Sequence, residues 1–188
     1  MEVTGTDALL VVDVQNDSCP GAALPVPAGH EVVEVINWLM PRFEHVLATQ
    51  DFHPPDHTSF KEHGGPWPVH CVEGTKGAEL HPGLDASKLQ DVIQKGTDRQ
   101  TDGYSGFAGT DLADRLRSRG IERVFVTGLA TDYCVKATTV EAIANGFEAV
   151  VVTDAIAAVD AEEGDGERAL SEMQSAGATP LASGELDS

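Results

Sequence analysis

RVFVTGLATDYCVKATTVEAIANGFEAVVVTD, residues 123–154, decides the fold. Arg123 to Leu129 is apolar and rich in β-branched side chains, which predicts a buried strand. Val135 to Asn145 predicts a helix closed by Gly146, and Ala149 to Asp154 predicts another strand. Strand, turn, helix and strand in this order make one βαβ unit, in which the helix crosses back over the sheet and the two strands run parallel.

The same alternation continues outward from that unit. Asp7 to Val14 carries the continuous run Ala-Leu-Leu-Val-Val, a buried strand. Glu31 to Met40 sets Val32, Val35, Ile36, Leu39 and Met40 on one helical face, and Pro41 stops it. His45 to Gln50 and Asp91 to Lys95 are further strands, and a Gly-rich turn region follows from Gly96 to Gly109. Thr110 can cap a helix that carries Leu112 and Leu116 and ends at Gly120. Arg168 to Ala176 reads as helical with Gly177 as its stop, Ala178 to Ala182 as a weak last strand, and Gly184 to Ser188 as a polar tail. The expected fold is α/β, a three-layer α/β/α arrangement around a mostly parallel six-stranded sheet, in a single domain over residues 1–188. Residues 51–87 form a long Pro-, Gly- and His-rich loop with no sustained period, and loops of that length inside compact domains usually serve function.

Charge narrows the partners. Twelve Lys and Arg against 31 Asp and Glu give a net charge of −19. Such a surface repels phosphate backbones and anionic lipid, so nucleic acid and membrane are excluded as general partners and small neutral or cationic molecules remain. A Lys-poor acidic surface also suits concentrated salt, where self-repulsion is screened; acidic solubility alone is the plainer reading. No apolar run is long enough to cross a bilayer. The N-terminus has no basic segment ahead of an apolar one, and Cys19, Cys71 and Cys134 are odd in number and without a CxxC pair. These features point to reduced thiols and a cytoplasmic setting, and a homo-oligomer stays compatible with all of them.

In open parallel sheets, sites gather beyond the carboxyl ends of the strands. Asp13 closes the first strand, Lys95 the third, and Cys134 follows the strand 123–129 at the start of a helix. A helix N-terminus lowers a thiol's pKa and offers N–H donors to an oxyanion, so the expected Cys134 is an activated nucleophile. Singly, a Cys is more often a small core residue, an Asp at a strand end a turn residue, and a Lys a solvated one. Their meeting at one sheet edge favours chemistry. Cys19 and Cys71, in loops, read as non-catalytic. Asp51, His53, His57, His63 and His70 lie in the long loop. Asp51 and His53 point to the same side of an extended segment, and two His with a carboxylate form a first shell for Zn, Fe or Mn.

The motifs DVQND (13–17), ALPVP (23–27), DFHPPDHTSF (51–60), GGPWPVHCV (64–72), YSGF (104–107), GTDLA (109–113) and GLATDYCV (128–135) together resemble the nicotinamidases, which also act as pyrazinamidases, within the isochorismatase-like cysteine hydrolases. The resemblance spans nearly the whole chain. It implies hydrolysis of a small carboxamide through a cysteine thioester, with Asp13, Lys95 and Cys134 as the catalytic triad. It further implies an oxyanion hole from the N–H groups of Ala130 and Cys134, aimed by a cis Ala130–Thr131 peptide. One divalent transition metal, Zn first with Fe or Mn as alternatives, would be held by Asp51, His53 and His70, with His57, in the same motif, a less secure ligand. Trp67 and Tyr104 would wall the substrate pocket. Family members usually follow DVQND with an aromatic residue against the pyridine ring, where this chain has Ser18, and Ala22 replaces a glycine. Ser18 therefore raises another small amide as a substrate of the same chemistry, beside the reading of a catalytically silent metal-binding protein. Isochorismate hydrolysis is disfavoured, because those relatives do not need the nucleophilic Cys present here.

Overall fold

The computed structural model describes residues 1–187. Six parallel strands, β1 (Asp7–Val12), β2 (His45–Asp51), β3 (Asp91–Lys95), β4 (Arg123–Leu129), β5 (Glu148–Ala157) and β6 (Thr179–Leu181), form one sheet in the order β3-β2-β1-β4-β5-β6. Four α-helices flank it: α1 (Val32–Leu39), α2 (Leu112–Ser118), α3 (Lys136–Ala144) and α4 (Asp165–Ala176).

Alternation along β1 explains the layers, because successive side chains of a strand point to opposite faces. Leu9 and Val11 join Val32, Ile36 and Leu39 of α1 on one face. Leu10 and Val12 meet Leu112 and Leu116 of α2, Ala142 of α3 and Met173 of α4 on the other. Every residue of β1 is buried, as expected of a central parallel strand. Among the described residues no helix is long and apolar enough to cross a membrane.

The departures from expectation have local causes. β5 continues three residues beyond Asp154, and its register with β4 shifts between Val126 and Gly128. Exposed Asp154 sits within that shift and accepts hydrogen bonds from the N–H and hydroxyl of Ser183, so a polar residue stands inside a strand. α4 begins at Asp165 rather than Arg168, because Asp165 Oδ2 accepts the Glu162 N–H, and first-turn Asp165 and Glu167 favour the positive end of the helix. α2 begins at Leu112, so its N-cap is Asp111; Thr110, one residue earlier, still accepts the Leu112 N–H. The segment after β2 contains only 3-10 turns and isolated bridges, such as His53 with Val72 and Phe60 with Trp67.

Candidate active site

The strand order reverses its direction of growth between β1 and β4, which opens a crevice beyond their carboxyl ends. Asp13, the first residue past β1, has a φ of 48°, a left-handed conformation costly for a side chain. Thr49 of β2, paired in register with Val12, holds it: the Asp13 N–H donates to Thr49 O, and the Thr49 hydroxyl donates to Asp13 Oδ1 at 2.7 Å. Asp13 Oδ2 lies 2.8 Å from Lys95 Nζ but accepts no aligned hydrogen bond, so it remains open to a proton.

Lys95 ends β3 opposite Asp51, which ends β2. Its buried ammonium donates to Asp51 Oδ1 at 2.5 Å and Gly103 O at 2.6 Å, and stands 3.4 Å from Cys134 Sγ. Cys134 sits in a π-helical turn, Thr131–Val135, between β4 and α3, where the Tyr133 and Val135 N–H groups both donate to Ala130 O. One oxygen each of Asp13 and Asp51 and the Cys134 sulfur lie within 4.8 Å of one another. The non-proline cis peptide joins Leu129 to Ala130, one residue before the expected Ala130–Thr131 bond.

The electrostatics correct one expectation. Burial pushes the Cys134 thiol well above its usual range, Lys95 opposes this, and Asp13 and Asp51 add to it. Burial is the largest of these influences, and its direction is opposite to the lowering expected of the helix end. Burial also raises Asp13, against the pull of Lys95. Lys95 itself stays charged, since Asp13 and Asp51 overcome the cost of burying it.

A second group adjoins the first. His53 Nδ1 faces Gly96 O at 2.9 Å, and His70 Nδ1 faces Pro68 O at 2.7 Å. A carbonyl only accepts, so each Nδ1 carries hydrogen and each neutral ring keeps its Nε2 lone pair free. Those Nε2 atoms stand 3.5 and 4.0 Å from Asp51 Oδ2. Burial works against the Asp51 charge, but the opposing pull, led by Lys95, outweighs it and holds the carboxyl far below its usual range. Two imidazole nitrogens and one carboxylate, converging within 4.8 Å with their far sides anchored to backbone, fit a divalent metal. Asp13, Asp51 and Cys134 also converge, but the Lys95 ammonium already serves as the cation there. His57 stacks on His53 at 4.2 Å; its Nδ1 meets the hydroxyl and the N–H of Ser59, and its buried Nε2 has no hydrogen-bond partner among the described residues.

Every expected site residue except Lys95, which lies beneath, lines one pocket. Trp67 Nε1 donates to the Tyr104 hydroxyl at 2.9 Å, and Tyr133 meets Trp67 edge-on at 4.8 Å, so three rings form one wall. Ser18 and the aliphatic Leu24, Val26, Leu129 and Val159 also line the pocket. Sequence reasoning missed Thr49, Tyr133, Leu24, Val26, Leu129 and Val159. Of these, Leu24 and Val26 lie in the motif 23–27 and Leu129 and Tyr133 in the motif 128–135, so the motifs carried a usable signal for them; Thr49 and Val159 lie outside every motif.

A parallel sheet with a buried Cys–Asp–Lys group at its reversal point, beside an Asp–His–His donor set, defines a class of α/β proteins equipped for acyl chemistry at sulfur. The family is specific: residues 7–185 match the isochorismatase domain, and the chain belongs to the isochorismatase family. It is 41% identical to the nicotinamidase of Escherichia coli, with 92% of each chain covered. The crystal structure of an L. infantum protein in complex with nicotinate superposes with a TM-score of 0.94 at 40% identity, covering 100% of this chain and 98% of that one. The pyrazinamidase of Pyrococcus horikoshii in complex with zinc gives 0.87 at 44% identity, covering 94% and 99%.

Proposed function

We propose that this protein is a nicotinamidase, hydrolysing nicotinamide to nicotinic acid and ammonia through a thioester on Cys134. The observation that carries the mechanism is the buried thiol beside the Asp13 carboxylate, whose Oδ2 no aligned hydrogen bond occupies, in an aromatic-walled pocket. Similarity to nicotinamidases over most of the chain supports the choice of amide.

Cys134 Sγ attacks the amide carbon while Asp13 takes the thiol proton. A raised Asp13 pKa suits a group that must accept that proton and then return it. Thr49 fixes Oδ1, so Oδ2 is the oxygen that exchanges, and Lys95 keeps the carboxylate oriented. The N–H groups of Ala130 and Cys134 take the oxyanion role. The C–N bond breaks, Asp13 protonates the departing amine, ammonia leaves and the thioester remains. Water adds to it, the C–S bond breaks, and the acid and the thiol are regenerated.

Asp51, His53 and His70 would hold the metal, read here as zinc with Fe or Mn as alternatives; bound there, it supplies a Lewis-acid contact for a ring nitrogen, directly or through water. Trp67, Tyr104 and Tyr133 enclose the ring. The partner is thus a small-molecule amide, and three free cysteines fit the reducing cytoplasm. Ser18 in the pocket favours, as a second reading, another small amide with the same chemistry.

A coupled ammonia assay over a panel of amides, with metal analysis of the same sample, tests the proposal. Nicotinamide should be turned over by the wild type and not by Cys134→Ala. Turnover of a different amide alone selects the second reading, and none at all selects a silent metal-binding protein.

A further inference from the structure

Asp132 precedes the nucleophile by two residues and is buried, yet the reaction as derived does not use it. An acidic residue in the first turn of a helix ordinarily caps that turn or answers its dipole. Here no side-chain cap forms on the turn, and both carboxylate oxygens leave it. Oδ1 accepts the Val159 N–H and Oδ2 the Asp160 N–H, each at 2.9 Å. Two successive backbone donors of the segment after β5 thus converge on one carboxylate. Asp160 is left-handed there, with a φ of 51°, and its own Oδ1 accepts the Gly166 N–H of α4 at 2.7 Å. A Cβ at Gly166 would come within 2.7 Å of Ala158 Cβ, so this crossing leaves little slack. Between the two anchors stands Val159, whose side chain lines the pocket beside Leu129, Ala130 and Tyr133.

We propose that Asp132 is a positioning residue: it pins Val159 against the substrate cavity and so sets how large an acyl group the site admits. The inference rests on the amidase reading and adds to it the determinant of acyl size. Charge-assisted bonds from a buried carboxylate to two N–H groups hold a segment that otherwise follows a strand end into an exposed loop.

Asp132→Asn replaces one acceptor by an NH2 group facing an N–H, which releases half of the clamp and repels it. The KM for nicotinamide should rise about tenfold while kcat stays within about threefold. The dissociation constant for nicotinate, read by calorimetry without turnover, should rise about as much. A ring-substituted nicotinamide should gain on nicotinamide in kcat/KM. Val159→Ala, which leaves the catalytic turn untouched, should reproduce the same pattern, and it decides the matter if Asp132→Asn does not fold. A lower Tm with unchanged KM, Kd and selectivity would reduce Asp132 to a structural tie and overturn the proposal. A fall in kcat at constant KM and Kd would overturn it too, because the action would then run through the Cys134 turn. A wild type that binds nicotinate but leaves nicotinamide intact refutes the nicotinamidase reading instead, and the Kd comparison still decides the role of Asp132.

Discussion

The two halves of the site are built by different means. Asp13 and Lys95 stand at the ends of β1 and β3, where the sheet register holds them, and Cys134 stands in the π-helical turn that follows β4. His53 and His70 stand on a segment without a strand of its own, oriented by single hydrogen bonds from each ring to the carbonyls of Gly96 and Pro68. Asp51 and Lys95 join the halves through a buried ion pair. Damage to the first half should therefore strike chemistry or the whole fold, whereas damage to the second should strike ligands while the sheet survives.

The largest effect belongs to Asp13→Asn, which keeps shape and removes the proton acceptor. Its kcat should fall by about two to four orders of magnitude, measured by ammonia release, with little change in Tm. In the wild type, kcat/KM should decline as pH falls through the Asp13 pKa, because the protonated carboxyl cannot accept the thiol proton. Burial raises that pKa, so the acid limb should lie above the usual carboxylate range. An acid limb that persists unchanged in the residual activity of Asp13→Asn would remove Asp13 from the role of base.

Gly128→Ala tests the sheet itself. Gly128 has a φ of 104°, and a Cβ there would overlap the Val12 backbone, where β1 and β4 cross closest to the site. Denaturant unfolding should show a loss of at least about 3 kcal/mol. Gly96→Ala is the matching change in the other half, since a Cβ at Gly96 would overlap the His53 ring. Metal affinity should fall about 10- to 100-fold while Tm of the metal-free protein moves little. His70→Ala should likewise lose metal and raise KM. Equal global destabilisation by both glycine variants would erase the distinction between the halves.

Much of this division is legible in the sequence. Continuous apolar runs reveal β1, β2, β4 and β5, because parallel strands are buried on both faces. The strand-to-turn placement of Asp13 and Cys134 follows from those runs. Register, however, is a property of pairs of strands, so neither the Thr49 contact to Asp13 nor the bridge from Lys95 to Asp51 could be read from one segment. Val159 escaped because it reaches the pocket from a loop with neither a periodic signal nor a quoted motif. The helix end of Cys134 could be read from the sequence, whereas its depth of burial, the largest influence on the thiol, is a tertiary quantity.

The smallest predicted effect concerns Ser18. If that position faces the ring, Ser18→Phe adds a stacking wall worth up to about 1.5 kcal/mol, and KM for nicotinamide drops roughly tenfold at constant kcat. Overpacking would instead lower Tm and kcat together. An unchanged KM in a stably folded variant would place Ser18 outside the ring contact.

Covalent catalysis at Cys134 is the claim on which the rest depends, and intact-mass analysis of enzyme acid-quenched during steady-state turnover of nicotinamide addresses it directly. Wild-type protein should carry one added nicotinoyl group, mapped by digestion to the peptide containing Cys134 and absent from Cys134→Ala. Turnover without any adduct in Cys134→Ala, or an adduct mapped to another residue in the wild type, would contradict it.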